Sequence, residues 1–536
     1  MKMKAAIIVD NLQLSKWQLD ALNSASDSIE IVLILNCQNT ITKKRYLKNL
    51  LYYVLNIFTL KNHLTKKQSF SFSNATIINF NSIYKGVWQS ITEEIYKDLE
   101  SRDIDVVIKF GMGLLSINEE KQLPPILSYH HGNPSKYRGR PAGFYEIFNN
   151  ERTTGIIIQA ICNKLDAGEI YAFAESKIVN YSYKKTALNF YSNSIPLLDV
   201  AIRNLSNKTK LDIKVNGKNY RLPSNIKVSI FLLLLCFNAF KKVIYGLFFE
   251  KRWRVATLQN TLNLTTDEKF SPIELNEVPI DKKYNFYADC FFSEDDKKIR
   301  VEALNSITGL GDILELETID YSNQNVLMSG KHFSYPCSFM YNGKEYLLPE
   351  VASHSAQFFC EPNKIDQKHF IKGLEDKRIV DATFHLHDEK CFIFFGESQN
   401  AHTVLNLWIA DSPFDVFKPH PMDPIAISPY SARMGGKLLR HQGRIIRFGQ
   451  NNSGEYGESL TVMQIKSLSA KTYEEVKIGT LKIDNLIGPH SINFNSDMTE
   501  IVIDYYTNEF SFFAGVRRVK SMLYEKLNEV GNQTVQ

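Results

Sequence analysis

Hydrophobic periodicity changes character once along this chain, near Pro223, and no single repeating architecture accommodates both halves. Before that point, short apolar runs alternate with helical patterns. Residues 5–9, 29–35, 75–80, 105–109, 126–129 and 155–161 read as strands, with a helix over about 15–23 between the first two. Apolar strands separated by helices predict an α/β layer, a parallel doubly wound sheet with helices on both faces. No Gly-x-Gly-x-x-Gly follows the first strand, so a dinucleotide site is not expected. From Trp253 onward, short aromatic and β-branched runs end in turns, and helical periodicity returns only over about 513–527. Many evenly spaced strands without helices between them predict a sandwich, barrel or propeller. Runs such as ADCFFSEDDKKIRVEA, YPCSFMYNGKEYLLPE and VDATFHLHDEKCFIFFGE resemble one another. At about 40–50 residues per unit, this half holds about five propeller blades.

A chain of 536 residues exceeds what one core organises. Its domains are expected at 1–210, at 211–250 as a hydrophobic linker helix, at 251–510, and at 511–536 as a C-terminal helix and tail. The net charge of +5 is too small to imply nucleic acid, which duplex binders engage through a concentrated basic face. Seven scattered cysteines form no CxxC pair and no zinc spacing, which reads as reduced thiols. The opening MKMKAAIIVDN has an apolar run too short for a signal peptide, so a cytoplasmic location is expected.

Two stretches stand apart. Residues 31–92 contain eight Lys or Arg and no acid, with leucines at helical spacing within a basic insertion at about 43–67. Residues 228–240 form an uncharged run of 13 flanked by Lys227, Lys241 and Lys242. That is short of the roughly 20 residues needed to cross a bilayer. Either it is a buried linker helix, or it lies in an anionic interface and makes the protein peripheral on the inner face of a membrane.

The chemistry concentrates between Ser128 and Ile170, in SYHHGNPSKYRGRPAGFYEIFNNERTTGIIIQAICNKLDAGEI. A His pair ends one strand, a rigid turn follows, and Asp166 lies in a Leu-Asp-Ala-Gly turn after a later strand. Doubly wound sheets bind ligands outside the carboxyl ends of their strands, where a His and an Asp from two strand ends can meet. The segment resembles the core of the folate-dependent formyltransferases, a family that includes enzymes acting on methionyl-tRNA, on glycinamide ribonucleotide and on amino sugars. The resemblance rests on His130, Tyr137-Arg138-Gly139, Thr154-Gly155 and Leu165-Asp166-Ala167-Gly168, and covers about 1–210. It implies a Rossmann-like domain that transfers a formyl group from 10-formyltetrahydrofolate to a primary amine. It also implies His130 and Asp166 as the catalytic pair, with folate held by Gly111, Met112, Gly113, Leu114 and Leu165. His130 either donates a proton to the developing oxyanion, with Asp166 charge-paired to it, or takes one from the attacking amine. The family's Asn two residues before the histidine is Ser128 here, whose hydroxyl reaches less far. His131 or Asn133 is expected to supply the missing donor, and Tyr137, Arg138 and Gly139 to shape the acceptor side.

The second half carries no basic stripe, which argues against the tRNA-acting members. It resembles, less specifically, the five-bladed propeller of glycosidase-like proteins and the N-terminal domain of glucosamine inositolphosphorylceramide transferases. The stretches that carry this are Ala288-Asp289, Ser334-Tyr335-Pro336, Pro349-Glu350, Val380-Asp381 and Ala432-Arg433. Asp289, Glu350, Asp381 and Arg433 are its candidate site residues, either as glycan-binding groups or as turn and strand caps. The expectation is an amino-sugar formyltransferase serving surface-polysaccharide or glycolipid assembly. The alternatives are a glycan-binding or glycosidase-like protein with a non-catalytic first domain and, third, methionyl-tRNA formylation.

Overall fold

The computed structural model describes residues 2–39, 47–118, 120–121, 123–321 and 324–519. Lys43, Lys44 and Arg45 of the basic insertion, and the expected C-terminal helix from residue 520 onward, lie outside them. The chain forms two compact units, residues 1–239 and 240–536.

The first unit is built on a seven-stranded sheet. Its strands are β1 (Met3–Val9), β2 (Ile29–Cys37), β3 (Thr76–Phe80), β4 (Val106–Lys109), β5 (Ile126–His131), β6 (Thr153–Ala160) and β7 (Glu169–Lys177), ordered β7-β6-β5-β4-β1-β2-β3. Helices α1 (Lys16–Ser24), α2 (Leu50–Thr59), α3 (Glu93–Ser101), α4 (Phe144–Phe148), α5 (Tyr183–Ser194) and α6 (Leu197–Ser206) accompany it. Burial explains the sequence pattern: Ala5–Val9 of β1 and Val106–Ile108 of β4 are fully enclosed, so these strands read as unbroken apolar runs.

The expected all-parallel sheet needs correction. Strands β3, β2, β1, β4 and β5 run parallel, but β6 pairs antiparallel to β5 and β7 antiparallel to β6. A parallel return needs a crossover of about a dozen residues or more, and only residues 161–168 join β6 to β7. The basic segment forms α2, and the uncharged run lies within a longer helix, α7 (Asn225–Phe248).

The second unit is made almost entirely of strands: β8 (Phe249–Gln259), β9 (Tyr284–Phe292), β10 (Lys298–Asn305), β11 (Gly311–Glu317), β12 (Asn325–Met328), β13 (Ser334–Tyr341), β14 (Lys344–Glu350), β15 (Ile379–His387), β16 (Lys390–Glu397), β17 (Val404–Ala410), β18 (Arg433–Met434), β19 (Arg444–Asn451), β20 (Ser459–Leu468), β21 (Tyr473–Ile483), β22 (Ile492–Phe494) and β23 (Glu500–Phe510). They form separate sheets in chain order: β9 to β12, β13 with β14, β15 to β17, and β18 to β21. The last two strands join the first, β8, in one further sheet, where Phe249 faces Phe510 and Gln259 faces Glu500. Among the described residues, no strand pairing closes these sheets on one another.

The opening strands of three successive sheets share one irregularity. β9, β13 and β15 each slip in register, at Ala288/Phe291, Ser334/Cys337 and Val380/Thr383. Inside each slip one non-glycine residue is left-handed: Asp289 (φ +48°), Tyr335 (φ +45°) and Asp381 (φ +51°). A bulge re-aims one side chain at a modest cost in backbone strain.

Candidate functional site

In the first unit the site forms at the carboxyl ends of β4 and β5. Successive strand residues point to opposite faces, so Ser128 and His130 share one face of β5 while Tyr129 and His131 share the other. The His130 ring is 8% exposed, and its Nδ1 lies 3.4 Å from Oδ1 of Asp166. Its Nε2 lies 3.2 Å from the Tyr137 carbonyl. Both ring nitrogens therefore face acceptors, an arrangement that a doubly protonated imidazolium satisfies completely and a neutral ring satisfies on one side only.

Asp166 sits in a left-handed turn (φ +47°), and its Oδ2 accepts the Gly139 N–H at 2.9 Å. Gly139 is itself left-handed (φ +83°), and a Cβ there would fall 2.2 Å from the Tyr220 carbonyl oxygen. A Cβ on Gly132 would lie 2.8 Å from Nε2 of His130 and 2.9 Å from the Tyr137 carbonyl oxygen, so glycine lets the turn pack this close to the ring. Arg138 donates its Nε–H to the Gly217 carbonyl at 2.8 Å, and Tyr137 donates its hydroxyl to Glu151 at 3.0 Å. These contacts fix the turn around His130.

Of the two residues expected to replace the missing amide donor, His131 lies on the other face of β5, and Asn133 has its oxygen committed to the following turn. His131 packs among Trp17, Tyr129, Phe190 and Tyr191, with its Nε2 at 2.9 Å from the Ser194 hydroxyl. Burial, aided by repulsion from His130, lowers its pKa to about 3 and keeps it neutral. Strand alternation turns it away from His130. The Asn133 carboxamide oxygen accepts the backbone N–H of Ser135 at 3.0 Å and its hydroxyl at 2.7 Å, closing the turn that leads to Tyr137.

The loop expected to hold folate is shaped by Asp10, a residue that sequence reasoning missed. Its Oδ1 accepts the Met112 N–H at 2.6 Å, and a Cβ on Gly111 would crowd the Asp10 backbone at 2.7 Å. The Met112 side chain is fully buried in the sheet core, Gly113 is exposed, and Leu114 and Leu165 are half-buried.

Two further titratable groups were also missed. Lys109 ends β4, is the parallel register partner of Ser128, and therefore shares its face and that of His130. Burial lowers its pKa to about 8 against the opposing pull of Asp10 and Asp166. Glu146, on α4, is enclosed beside the turn, and burial lifts its pKa to about 7 although Thr154 donates to it at 2.9 Å. With His130, Tyr137, Arg138, Gly139 and Arg140 it lines one small cavity. The signal for Lys109 was present: an ionisable residue closing an otherwise apolar parallel strand.

The second unit assembles its own cluster. Asp381 is buried, and Arg433 grips it through Nε to Oδ2 and through Nη2 to Oδ1 at 3.2 Å. Gln450 donates to the same carboxylate at 3.0 Å, and the Asp381 N–H donates to Glu350 at 3.2 Å. Burial and the neighbouring Asp381 raise the Glu350 pKa well above the carboxylate range. Around Asp289, His490 places Nε2 at 3.2 Å from one carboxylate and Nδ1 at 2.6 Å from Asp504. Burial opposes charge on His490, but Asp504 and Asp289 outweigh it and lift its pKa to about 10. Asp289, His490 and Asp504 have donor atoms close enough to hold a metal ion. The two carboxylates, however, face opposite nitrogens of one ring, which a buried imidazolium ion pair accounts for. Trp253 and Tyr456 pack on His490, and Tyr456 lies under Arg433 at 5.3 Å. Thus Asp289, Glu350, Asp381 and Arg433 share one polar cluster, to which the structure adds Glu302, Gln450, Tyr456, His490 and Asp504.

Residues 277–493, inside the second unit, match the family model described as the N-terminal part of glucosamine inositolphosphorylceramide transferase 1. The proteins of that name are 30% identical over 215 residues in Arabidopsis thaliana and over 156 residues in Oryza sativa subsp. japonica. Those matches take in 36% and 27% of this chain but only 27% and 21% of the relatives, so the chain spans about a quarter of their length. Among solved structures, the phosphoribosylglycinamide formyltransferase of Anaplasma phagocytophilum is 13% identical, covering 41% of this chain and 98% of that one (TM-score 0.28). An N-formyltransferase of Helicobacter canadensis, in complex with folinic acid and dTDP-3-aminofucose, is 16% identical, covering 58% of this chain and 98% of that one (TM-score 0.27).

Proposed function

We propose that the first unit transfers a formyl group from 10-formyltetrahydrofolate to the primary amine of an amino sugar, in surface-polysaccharide or glycolipid assembly. The observation that carries this reading is the His130–Asp166 pair at the carboxyl end of a parallel strand, held by the Gly139 amide. The order of His130, Tyr137-Arg138-Gly139, Thr154-Gly155 and Leu165-Asp166-Ala167-Gly168 supports it.

The folate co-substrate supplies the formyl carbon, and the chain's own residues manage charge and protons around it. His130 donates its Nε2–H to the oxygen on which negative charge develops, exchanging the Tyr137 carbonyl for it. Asp166 holds the ring through Nδ1 and balances its charge. Lys109, facing the same side as Ser128, adds an ammonium donor that titrates near working pH and offsets the shorter reach of the serine.

The second unit favours a companion reading. Its successive sheets act as propeller blades around the Asp289–Glu350–Asp381–Arg433 cluster, which binds the glycan portion of the acceptor. The names of the relatives matching this half support a glycolipid acceptor.

The test is release of tetrahydrofolate from 10-formyltetrahydrofolate by the full-length protein, with a panel of nucleotide- and lipid-linked amino sugars. Turnover that requires an amino sugar is expected, falling about a hundredfold or more in His130→Ala and Asp166→Ala. If folate neither binds nor turns over while glycans still bind, the reading fails and the chain is a glycan-binding protein whose first unit is not catalytic.

A further inference from the structure

The helix α7 is two-faced in an unusual way, because both of its faces are apolar. On one face Val228 and Phe231 are fully buried, with Leu235 packed behind them, in a cluster with Tyr52 and Leu55 of α2 and Phe144 of α4. On the opposite face Ile226, Ile230, Leu233, Phe237, Phe240, Ile244 and Leu247 recur every three or four residues. They are 74%, 49%, 71%, 55%, 62%, 36% and 47% exposed. That spacing draws one stripe along about 30 Å of helix. The neighbouring α2 repeats the pattern: Leu50, Val54, Ile57 and Phe58 are exposed while Tyr52 and Leu55 are buried. The helix starts are tied together, since Asn225 accepts the Leu51 N–H and donates to the Leu47 carbonyl, and Asn49 donates to the Pro223 carbonyl. Soluble surfaces seldom leave apolar area on this scale uncovered.

Charge says what covers it. Residues 31–92 and 213–249 together hold fourteen Lys and Arg and no acid, in a chain whose total is +5, so the remainder carries −9. Lys48, Lys61, Lys66, Lys227, Lys241 and Lys242 are exposed on or beside these helices. Lys227 and Lys241 border the α7 stripe in the helical projection. An apolar stripe edged by lysines, in segments purged of acid, complements a hydrocarbon layer beneath anionic headgroups.

We propose that α2 and α7 dock the protein on an anionic lipid surface, lying in the interface with their exposed stripes sunk into it. A spanning α7 does not fit. It is long and apolar enough to cross by composition, but Val228 and Phe231 are buried against protein, and Lys241 and Lys242 leave only 13 uncharged residues between the flanking lysines. Thirteen helical residues extend about 20 Å against a core of about 30 Å.

The experiment is co-sedimentation of the full-length protein with vesicles of phosphatidylcholine alone and of phosphatidylcholine with phosphatidylglycerol, at low and high salt. Binding to the anionic vesicles only, reversed by salt, is the expected result. Ile230→Glu/Leu233→Glu and Lys241→Gln/Lys242→Gln should each weaken it about tenfold or more. All four positions are exposed, and circular dichroism with thermal melting verifies that each variant folds. Equal binding to neutral vesicles, or binding unchanged in both variants, overturns the proposal. So does a vesicle-independent dimer that Ile230→Glu/Leu233→Glu converts to monomer, which assigns the stripes to a second copy of this chain. Resistance of the membrane-bound protein to alkaline carbonate extraction also overturns it, in favour of a spanning helix.

Discussion

Replacing Lys109 by methionine should make the protein more stable and less active at the same time. The lysine is half-buried at the end of β4, and its pKa falls from the usual 10.5 to about 8 because desolvation outweighs the attraction of Asp10 and Asp166. That difference corresponds to about 3 kcal/mol withheld from folding at neutral pH, since both folded and unfolded chains carry the proton there. The folded pKa is the lower one, so the penalty is full below about pH 8 and fades as pH rises toward about 10.5. Lys109→Met keeps the side-chain length and removes the charge. It should gain about 2–3 kcal/mol at about pH 7, narrowing to about 1 kcal/mol at about pH 9.5. Urea unfolding at the two pH values, followed by pulse proteolysis with cleavage mapped to residues 1–239, separates the first unit's transition from the second's. Formyl transfer should fall by about tenfold or more in the same variant. A variant destabilised at neutral pH, or a gain that does not change with pH, would refute the reasoning.

Other perturbations test other contacts. Gly132→Ala places a methyl 2.8 Å from the His130 Nε2, so it should displace the ring, cut turnover and cost about 1–3 kcal/mol, readable by the folate-release assay and thermal melting. Asp166→Asn keeps an acceptor for the Gly139 amide but loses the charge opposite Nδ1, so kcat should drop about a hundredfold with little loss of stability. His490→Ala leaves Asp289 and Asp504 buried without their cation and should destabilise the second unit by about 3–5 kcal/mol in denaturant unfolding. Because the folded His490 pKa of about 10 lies above its usual 6.5, its contribution is full below about pH 6.5 and disappears as pH rises through about 10. A second unit equally stable at both ends of that range contradicts the ion-pair account.

Where local chemistry dictates structure, the sequence was readable. Apolar runs announced β1, β2 and β4, and His130 and Asp166, read as lying at two strand ends, come within ion-pair distance. What periodicity could not reveal is direction: β6 looks the same run parallel or antiparallel, and only for β7 does a connection of eight residues settle the matter. Adjacent residues posed a similar difficulty. His130 and His131 are equivalent in composition, but strand alternation gives one to the site and the other to an aromatic cluster. Lys109, Asp10 and Glu302 escaped notice, and His490 read as part of a plain turn, because their meaning lies in partners brought close by tertiary packing. His490 and Asp289 are 201 positions apart, and no local window contains both.

The three bulges at Asp289, Tyr335 and Asp381 carry a consequence for how this protein can change. Each is a slot with the same left-handed backbone but a different side chain role. Two slots hold acids, and the third holds a strut, since the Tyr335 hydroxyl reaches Thr383 at 3.0 Å and the Gly436 N–H at 3.0 Å. Aspartate, asparagine and glycine tolerate a left-handed backbone best, so the first and third slots can exchange charge for neutrality by one substitution without rebuilding a strand. The charge of the second unit's polar cluster can therefore change at two positions, while the middle slot is committed to architecture.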